Sequence, residues 1–172
     1  MFKTRQYVTV GVMLAALLAF QALHMPQIIT GCFVNAILVF TSLYAGLSYG
    51  IVLSVLSPVG ALITGILPSV MCPVLVIIAL GNVFLINIFF LAKKTGVFAR
   101  TILSSVVKAA FIGVSSYYVF LFFNLSETIN IVLLPFSIVQ FVTSAVGILL
   151  AEKIARVCNL EHLKSGMQVN KI

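Results

Sequence analysis

Residues 31–67 read GCFVNAILVFTSLYAGLSYGIVLSVLSPVGALITGIL and contain no charged side chain. A membrane-spanning helix needs about 20 apolar residues, with a range of about 17–25, so this stretch is too long for one span. Gly46, Ser48 and Gly50 stand near its middle. We therefore predict two helices, at 31–45 and 47–67, joined by a very tight turn, with the first helix short for a full crossing.

The composition of the whole chain points to the same class of protein. Of its 172 residues, 62% are apolar and 8% are charged, whereas a soluble domain carries roughly 25% charged residues. These proportions exclude a soluble globule and a disordered chain. We predict an all-α integral membrane protein forming one domain over residues 1–172, with no room for a soluble catalytic or nucleic-acid-binding domain.

Four further apolar stretches complete a compact bundle of six transmembrane helices. We expect the helices at about residues 7–23, 31–45, 47–67, 74–92, 101–123 and 129–156, with a polar tail at 159–172. The breaks between them carry helix-ending signals, such as Pro26 after the first helix and Lys93 to Gly96 after the fourth.

The distribution of basic residues predicts the orientation of the bundle. If the N-terminus is cytoplasmic, every Lys and Arg except Lys108 falls on the cytoplasmic side, and the loops at 24–30, 68–73 and 124–128 contain none. Cytoplasmic loops of membrane proteins carry an excess of Lys and Arg. We therefore predict a multi-pass protein of the cell membrane with both termini in the cytoplasm. The net charge of +7 is then a topology signal, and we expect no nucleic-acid partner.

One charged residue and one pair of charged residues call for individual predictions. Lys108 lies inside the fifth predicted helix, about two turns from its cytoplasmic end. We expect its long stem to carry the ammonium back to that interface or to contact a partner there. Ligand binding is the alternative, because a charge inside a span is a candidate functional residue. Glu152 and Arg156 are four residues apart on the polar extension of the sixth helix. We expect them to pair on an exposed turn.

The chain lacks the sequence features of membrane proteases, ATPases and ion-coupled carriers. It contains no HExxH motif, no GxxxxGK[ST] phosphate loop and no acidic residue in the middle of a predicted helix. Ion-coupled carriers usually bury carboxylates in their helices. We therefore expect no enzyme, no cofactor and no metal site. Any transport would be passive or would take its energy from a partner.

Polar residues in the outer half of the predicted bundle form a candidate pocket. A buried amide that faces lipid is costly, so these side chains must face the interior or water. The candidate substrate-binding residues are Gln27, Thr30, Asn35, Thr64, Asn82, Tyr117, Tyr118, Asn124 and Gln140. The mixture of tyrosines and amides suits an uncharged or heterocyclic small molecule. The alternative is that each amide only joins two helices.

The first predicted helix carries a run of small residues. Ala15 and Ala19 lie one turn apart on one face, with Ala16 and Ala22 beside them. In a bilayer, small residues at this spacing allow another helix to approach closely. We interpret the four alanines as a candidate partner interface. Packing within the bundle is the alternative interpretation.

Taken together, these features resemble the substrate-binding S-component of an energy-coupling factor vitamin transporter. The resemblance covers about residues 5–156. It rests on the length, the topology and the alanine face after a short basic N-terminus, together with the stretches Ile29–Leu38, Gly65–Pro68 and Gly81-Asn82.

The resemblance implies a function. An S-component captures a water-soluble vitamin or vitamin precursor in an outward-facing cavity of a prokaryotic cell membrane. It docks through its alanine face, here Ala15 and Ala19, on a transmembrane coupling subunit that carries two ATPase subunits. Two other functions stay open: a small accessory or scaffold subunit of a membrane complex, and an ATP-independent carrier.

Overall fold

The computed structural model describes residues 2–67, 69–123 and 134–158, and these residues form helices and short turns with no strand among them. The six α-helices are α1 (Phe2–Ala22), α2 (Gln27–Tyr44), α3 (Leu47–Ile63), α4 (Leu75–Leu91), α5 (Val97–Phe122) and α6 (Leu134–Val157). Short 3-10 helices at Ser69–Val74 and Ala92–Lys94 flank α4.

Four segments are long and apolar enough to cross a membrane. These segments are Gln27–Tyr44, Cys72–Lys94, Val97–Phe122 and Phe136–Val157. The apolar parts of the other two helices, Gln6–Ala22 and Leu47–Ile63, are shorter. The described chain is therefore an all-α protein of the membrane class, as the composition indicates.

The break between α2 and α3 falls where the sequence places it. Gly46 has a φ of 115°, a backbone conformation that side chains with a Cβ rarely adopt. At its other end, α2 begins at Gln27, four residues before the expected start. The carbonyl of Pro26 accepts hydrogen bonds from the backbone N–H groups of Ile29 and Thr30 and so begins the first turn. The helix consequently reaches 18 residues instead of the short helix expected.

Other helix ends also differ from the expected ones by about a turn. α3 ends at Ile63 and not at residue 67, because Gly65 adopts a φ of 76° and reverses the chain. α5 begins at Val97, directly after Gly96, and not at residue 101. The expected start of the sixth helix at residue 129 lies outside the described residues, and α6 is described from Leu134.

The helix termini gather at two ends of the bundle. Val39 of α2, Phe89 of α4 and Ala151 of α6 share one hydrophobic cluster, so the C-terminal halves of these three helices pack together. Gln6 of α1 donates a hydrogen bond to the carbonyl of Ala45 at the α2–α3 turn, at 3.3 Å. We call this end the basic end, because Lys93, Lys94, Lys153 and Arg156 occur there. The opposite end contains the α1–α2 turn and the segment between α3 and α4.

Small residues allow α2 and α6 to approach very closely. A Cβ atom added at Gly147 of α6 would lie 2.6 Å from Cβ of Asn35 and 2.8 Å from the carbonyl oxygen of Cys32. A Cβ added at Gly31 of α2 would lie 2.9 Å from Thr143 Cγ2. This contact between the backbones fixes Asn35 and Thr143 next to each other in the interior.

The first helix packs on α2 and α3 through one face. Leu17 is completely buried in a cluster with Leu38 of α2 and Leu53 of α3. Gln21 donates a hydrogen bond from Nε2 to the carbonyl of Ser57 at 2.9 Å. Gly60 makes room for this contact, since a Cβ there would lie 2.7 Å from Gln21 Oε1.

Candidate functional site

Lys108 lies in the interior of the bundle. Its side chain is only 2% exposed, and its Nζ donates a hydrogen bond to Asn35 Oδ1 at 2.6 Å. The prediction that Lys108 extends to the cytoplasmic interface is therefore wrong. Since α5 begins at Val97, one turn earlier than expected, Lys108 lies about 16 Å along a helix of about 39 Å. It also lies on the face of α5 that packs against the other helices.

Two other helices position the amide that accepts this hydrogen bond. Asn35 Nδ2 donates to the carbonyl of Gly31 on its own helix, at 2.9 Å, and to Thr143 Oγ1 of α6, at 3.4 Å. These bonds use the amide hydrogens and direct Oδ1 toward the ammonium, which has donors only. We call Asn35, Lys108 and Thr143 the Lys108 cluster. It joins α2, α5 and α6 near mid-depth.

The stem of Lys108 passes a close contact between α4 and α5. A Cβ added at Gly81 would lie 2.6 Å from Ile112 Cγ1 and 3.7 Å from Lys108 Cγ. The adjacent residue, Asn82, is also buried. Gly81 thus brings α4 against the face of α5 that carries Lys108, and the lysine lies among four helices.

The cation is compensated only in part within the described residues. An amino-acid side chain of this charge at the centre of a spanning helix costs about 2.5–3.5 kcal/mol on insertion scales. One hydrogen bond to a charged group contributes about 1.5–3 kcal/mol, and the partner here is neutral. An ionisable side chain inside the membrane marks a candidate functional site. The Lys108 cluster meets that description.

The carboxylate of Glu152 does not compensate the charge of Lys108, because it pairs with Arg100. Glu152 is 3% exposed and accepts a hydrogen bond from the guanidinium of Arg100, which also lies 4.8 Å from the centre of the Phe89 ring. Arg156 Nε is 4.0 Å from the second carboxylate oxygen. The predicted pairing of Glu152 with Arg156 is therefore confirmed, but the carboxylate is buried and not on an exposed turn. The expectation that the helices bury no carboxylate is wrong. The ion pair of Arg100 with Glu152 fastens α5 to α6 at the basic end.

The other residues predicted for the pocket fall into three groups. Thr30 and Asn82 are buried like Asn35, and Thr30 Oγ1 donates to the carbonyl of Met25 at 3.2 Å. Thr64 and Gln140 are half-buried, and Thr64 Oγ1 donates to the carbonyl of Gly60. The exposed group is Gln27, Tyr117 and Tyr118. Asn124 lies outside the described residues.

The two tyrosines belong to the outer surface of α5. Their rings meet edge to face, with centroids 5.5 Å apart, and Tyr118 is 64% exposed. They lie near the end of α5 that is opposite the basic end. Tyrosines at helix ends are common where a spanning helix reaches the membrane–water interface. The two rings therefore belong to the surface, whereas Asn35 belongs to the interior.

The small residues of α1 lie on its uncovered side. Ala15, Ala19 and Ala22 are exposed, whereas Ala16 is half-buried beside the fully buried Leu17. Gly11 extends the exposed side by one turn, and a Cβ added there would meet no atom within 4 Å. The described residues leave this face of α1 without a helix packed on it. We call Gly11, Ala15, Ala19 and Ala22 the α1 face.

Sequence reasoning missed Thr143 and the interior position of Lys108. The lone charge in an otherwise apolar helix was a visible signal, but its direction depends on where α5 begins and on which face packs. The contact between Asn35 and Thr143 joins residues far apart in sequence, and the glycines at 31 and 147 were the available signal of a close α2–α6 crossing.

Comparison with known proteins adds no relationship. No family model, curated protein or solved structure matches the chain. The resemblance to S-components therefore rests on the sequence features alone.

The partnership of Asn35 and Lys108 predicts non-additive stability effects. Asn35→Leu should lower the free energy of unfolding by about 1.5–3 kcal/mol, because it leaves the buried ammonium without its acceptor. The same change in a Lys108→Met background should cost markedly less, because no charge is left unpaired. The measurement is a double-mutant cycle by denaturant titration of the purified protein in micelles.

Asn87→Leu is the matched control for that cycle. Asn87 is a half-buried helical amide whose Nδ2 donates to the carbonyl of Val83 on its own helix, at 2.9 Å. Its effect should be the same with Lys or Met at position 108, within about 0.5 kcal/mol. An Asn35→Leu effect that is equally independent of residue 108 would contradict the contact.

Proposed function

We propose that this protein is the substrate-capturing S-component of an energy-coupling factor transporter, taking up a water-soluble vitamin or vitamin precursor. In this proposal all six helices cross the cell membrane. A separate transmembrane coupling subunit docks on the protein, and two ATPase subunits supply the energy. The chain itself performs no catalysis and needs no cofactor.

The observation that carries the proposal is the uncovered α1 face. In lipid, helices associate through close van der Waals packing, and small residues at four-residue spacing permit it. Gly11, Ala15 and Ala19 have this spacing on the exposed side of α1, while Leu17 on the other side is fully buried. Such a surface suits a helix of another subunit, as the resemblance implies for Ala15 and Ala19.

The interior supports a role in binding a small molecule. Asn35, Lys108 and Thr143 come from three helices and meet near mid-depth, with the buried Asn82 on a fourth helix. A scaffold subunit has no need of a buried cation in its core. We therefore favour capture of a ligand over a purely architectural role.

The ends of the bundle support the proposed orientation. The interaction of Arg100 with Glu152 brings the α4–α5 turn and the end of α6 together. The turn between α2 and α3 lies at the same end, beside the start of α1. The positive-inside rule would then make the basic end cytoplasmic.

The orientation can be tested with two native cysteines. Cys72 and Cys158 are both exposed and lie at opposite ends of the bundle. In a Cys32→Ala background, a membrane-impermeant maleimide added to intact cells should label Cys72 and leave Cys158 unlabelled until the cells are permeabilised. Single-cysteine variants provide the controls. Labelling of Cys158 alone from outside would contradict the proposed orientation, and labelling of both cysteines from outside would contradict the six-span topology.

The α1 face predicts that a bulky side chain placed on it removes the partner subunits and abolishes uptake. Affinity-tagged wild-type protein purified from its native membrane should bring down an integral membrane protein and two chains with ATPase motifs. Ala15→Trp and Ala19→Trp should remove these partners and abolish uptake, because the indole prevents close helix approach. Ligand binding by the isolated variants should stay near the wild-type level.

Ala110→Trp is the matched control for these variants, because Ala110 is an exposed alanine on α5. It makes the same change on a different surface and should keep the ATPase partners. Wild-type protein that brings down no ATPase, or an Ala15→Trp variant that retains the complex, would overturn the proposed function. Uptake by the lone chain in liposomes would instead identify an ATP-independent carrier.

A further inference from the structure

We propose that the Lys108 cluster binds the anionic group, a carboxylate or a phosphate, of a water-soluble ligand. This inference rests on the proposed function and names the class of substrate. It also changes the expectation drawn from the sequence, where the mixture of tyrosines and amides favoured an uncharged or heterocyclic molecule.

The charge of Lys108 is not balanced by an opposite charge among the described residues. Its ammonium has three donor hydrogens, and its partner among the described residues is one neutral oxygen, Asn35 Oδ1. Glu152 is the only carboxylate side chain in the described ranges, and Arg100 holds it at the basic end. A buried cation is ordinarily paired with an opposite charge. A ligand anion would supply that charge.

The hydroxyl of Ser105 is a second hydrogen-bond donor on the same face of α5. Ser105 precedes Lys108 by three residues, which places both side chains on one side of the helix. Its hydroxyl is buried, and Oγ has no hydrogen-bond partner among the described residues. A buried hydroxyl without a partner calls for an explanation. An anion bound to Lys108 is a suitable acceptor for it.

The packing of the bundle does not require a lysine at position 108. A methionine has a similar length and no charge, and it would spare the bundle the burial of an ammonium. The fold is held by the close α2–α6 contact at Gly31 and Gly147 and by the apolar clusters, none of which requires a cation. A lysine at this depth is better explained by an anion than by packing.

The test is to identify what the protein carries. Wild-type, Lys108→Met and Lys108→Arg proteins are purified in parallel from the native host without dialysis. Their bound small molecules are extracted, separated into water-soluble and lipid fractions, and identified by mass spectrometry. We expect a water-soluble anion in the wild type, its loss in Lys108→Met and partial retention in Lys108→Arg. Affinity for that anion should fall about 30-fold or more in Lys108→Met.

Several outcomes would overturn the inference while leaving the proposed function standing. These are a bound molecule that is neutral or cationic, an anion that Lys108→Met retains at wild-type occupancy, and an anion found only in the lipid fraction. Wild-type protein that carries no small molecule and brings down no ATPase would overturn both proposals. The two failures are therefore distinguishable.

A second measurement removes the dependence on the folding of the variants. The identified molecule is titrated into wild-type protein in two forms, as the free acid and as its neutral ester, which is the methyl ester of a carboxylic acid or the dimethyl ester of a phosphate monoester. The affinity for the acid should be at least about 30-fold higher than that for the ester, because only the acid pairs with the ammonium. Equal affinities would overturn the inference even if every Lys108 variant failed to fold.

Discussion

The buried charge of Lys108 is the constraint that governs the polar interior of this protein, and the hydrogen bond to Asn35 satisfies it in part. Inside a bilayer no water is present to satisfy a polar group, so each one must find a partner in the protein. The ammonium of Lys108 therefore requires an acceptor at its own depth, and Asn35 provides it only because Gly31 and Thr143 hold the amide in place. The close approach of α2 and α6 at Gly147 is what makes this arrangement possible.

The α1 face and the Lys108 cluster involve different parts of the bundle. α1 packs on α2 and α3 through Leu17, whereas the cluster is formed by α2, α5 and α6. Only α2 belongs to both sets. A change on the exposed side of α1 therefore has no direct contact with the interior site, which allows docking and ligand binding to be examined separately.

Much of the fold follows from the sequence because it depends on local signals. The apolar composition gives the membrane class, and a glycine that adopts a positive φ, Gly46, divides the long uncharged stretch into α2 and α3. α2 and α5 begin directly after Pro26 and Gly96, and each start depends on backbone hydrogen bonds within a single turn. Apolar periodicity does not fix such turns, so α2 and α5 each begin four residues before their expected starts.

The candidate site was less accessible to sequence reasoning because its contacts join distant positions. Asn35 was recognised as an interior amide, but its partners Lys108 and Thr143 depend on which faces of α5 and α6 meet α2. The same limit applies to Glu152, whose partner Arg100 is 52 residues away. The spacing of four residues to Arg156 suggested a local pair, and the tertiary contact proved closer.

The most direct test of the account is the accessibility of the lysines to a small reagent. Reductive methylation of the folded protein in nanodiscs, followed by mass spectrometry, compares Lys108 with Lys93, Lys94 and Lys153, which are exposed. The account predicts rapid modification of the three exposed lysines and much slower modification of Lys108, which a reagent reaches only when the interior opens. Modification of Lys108 at the rate of the others would show that its ammonium reaches water, and it would contradict the buried cluster.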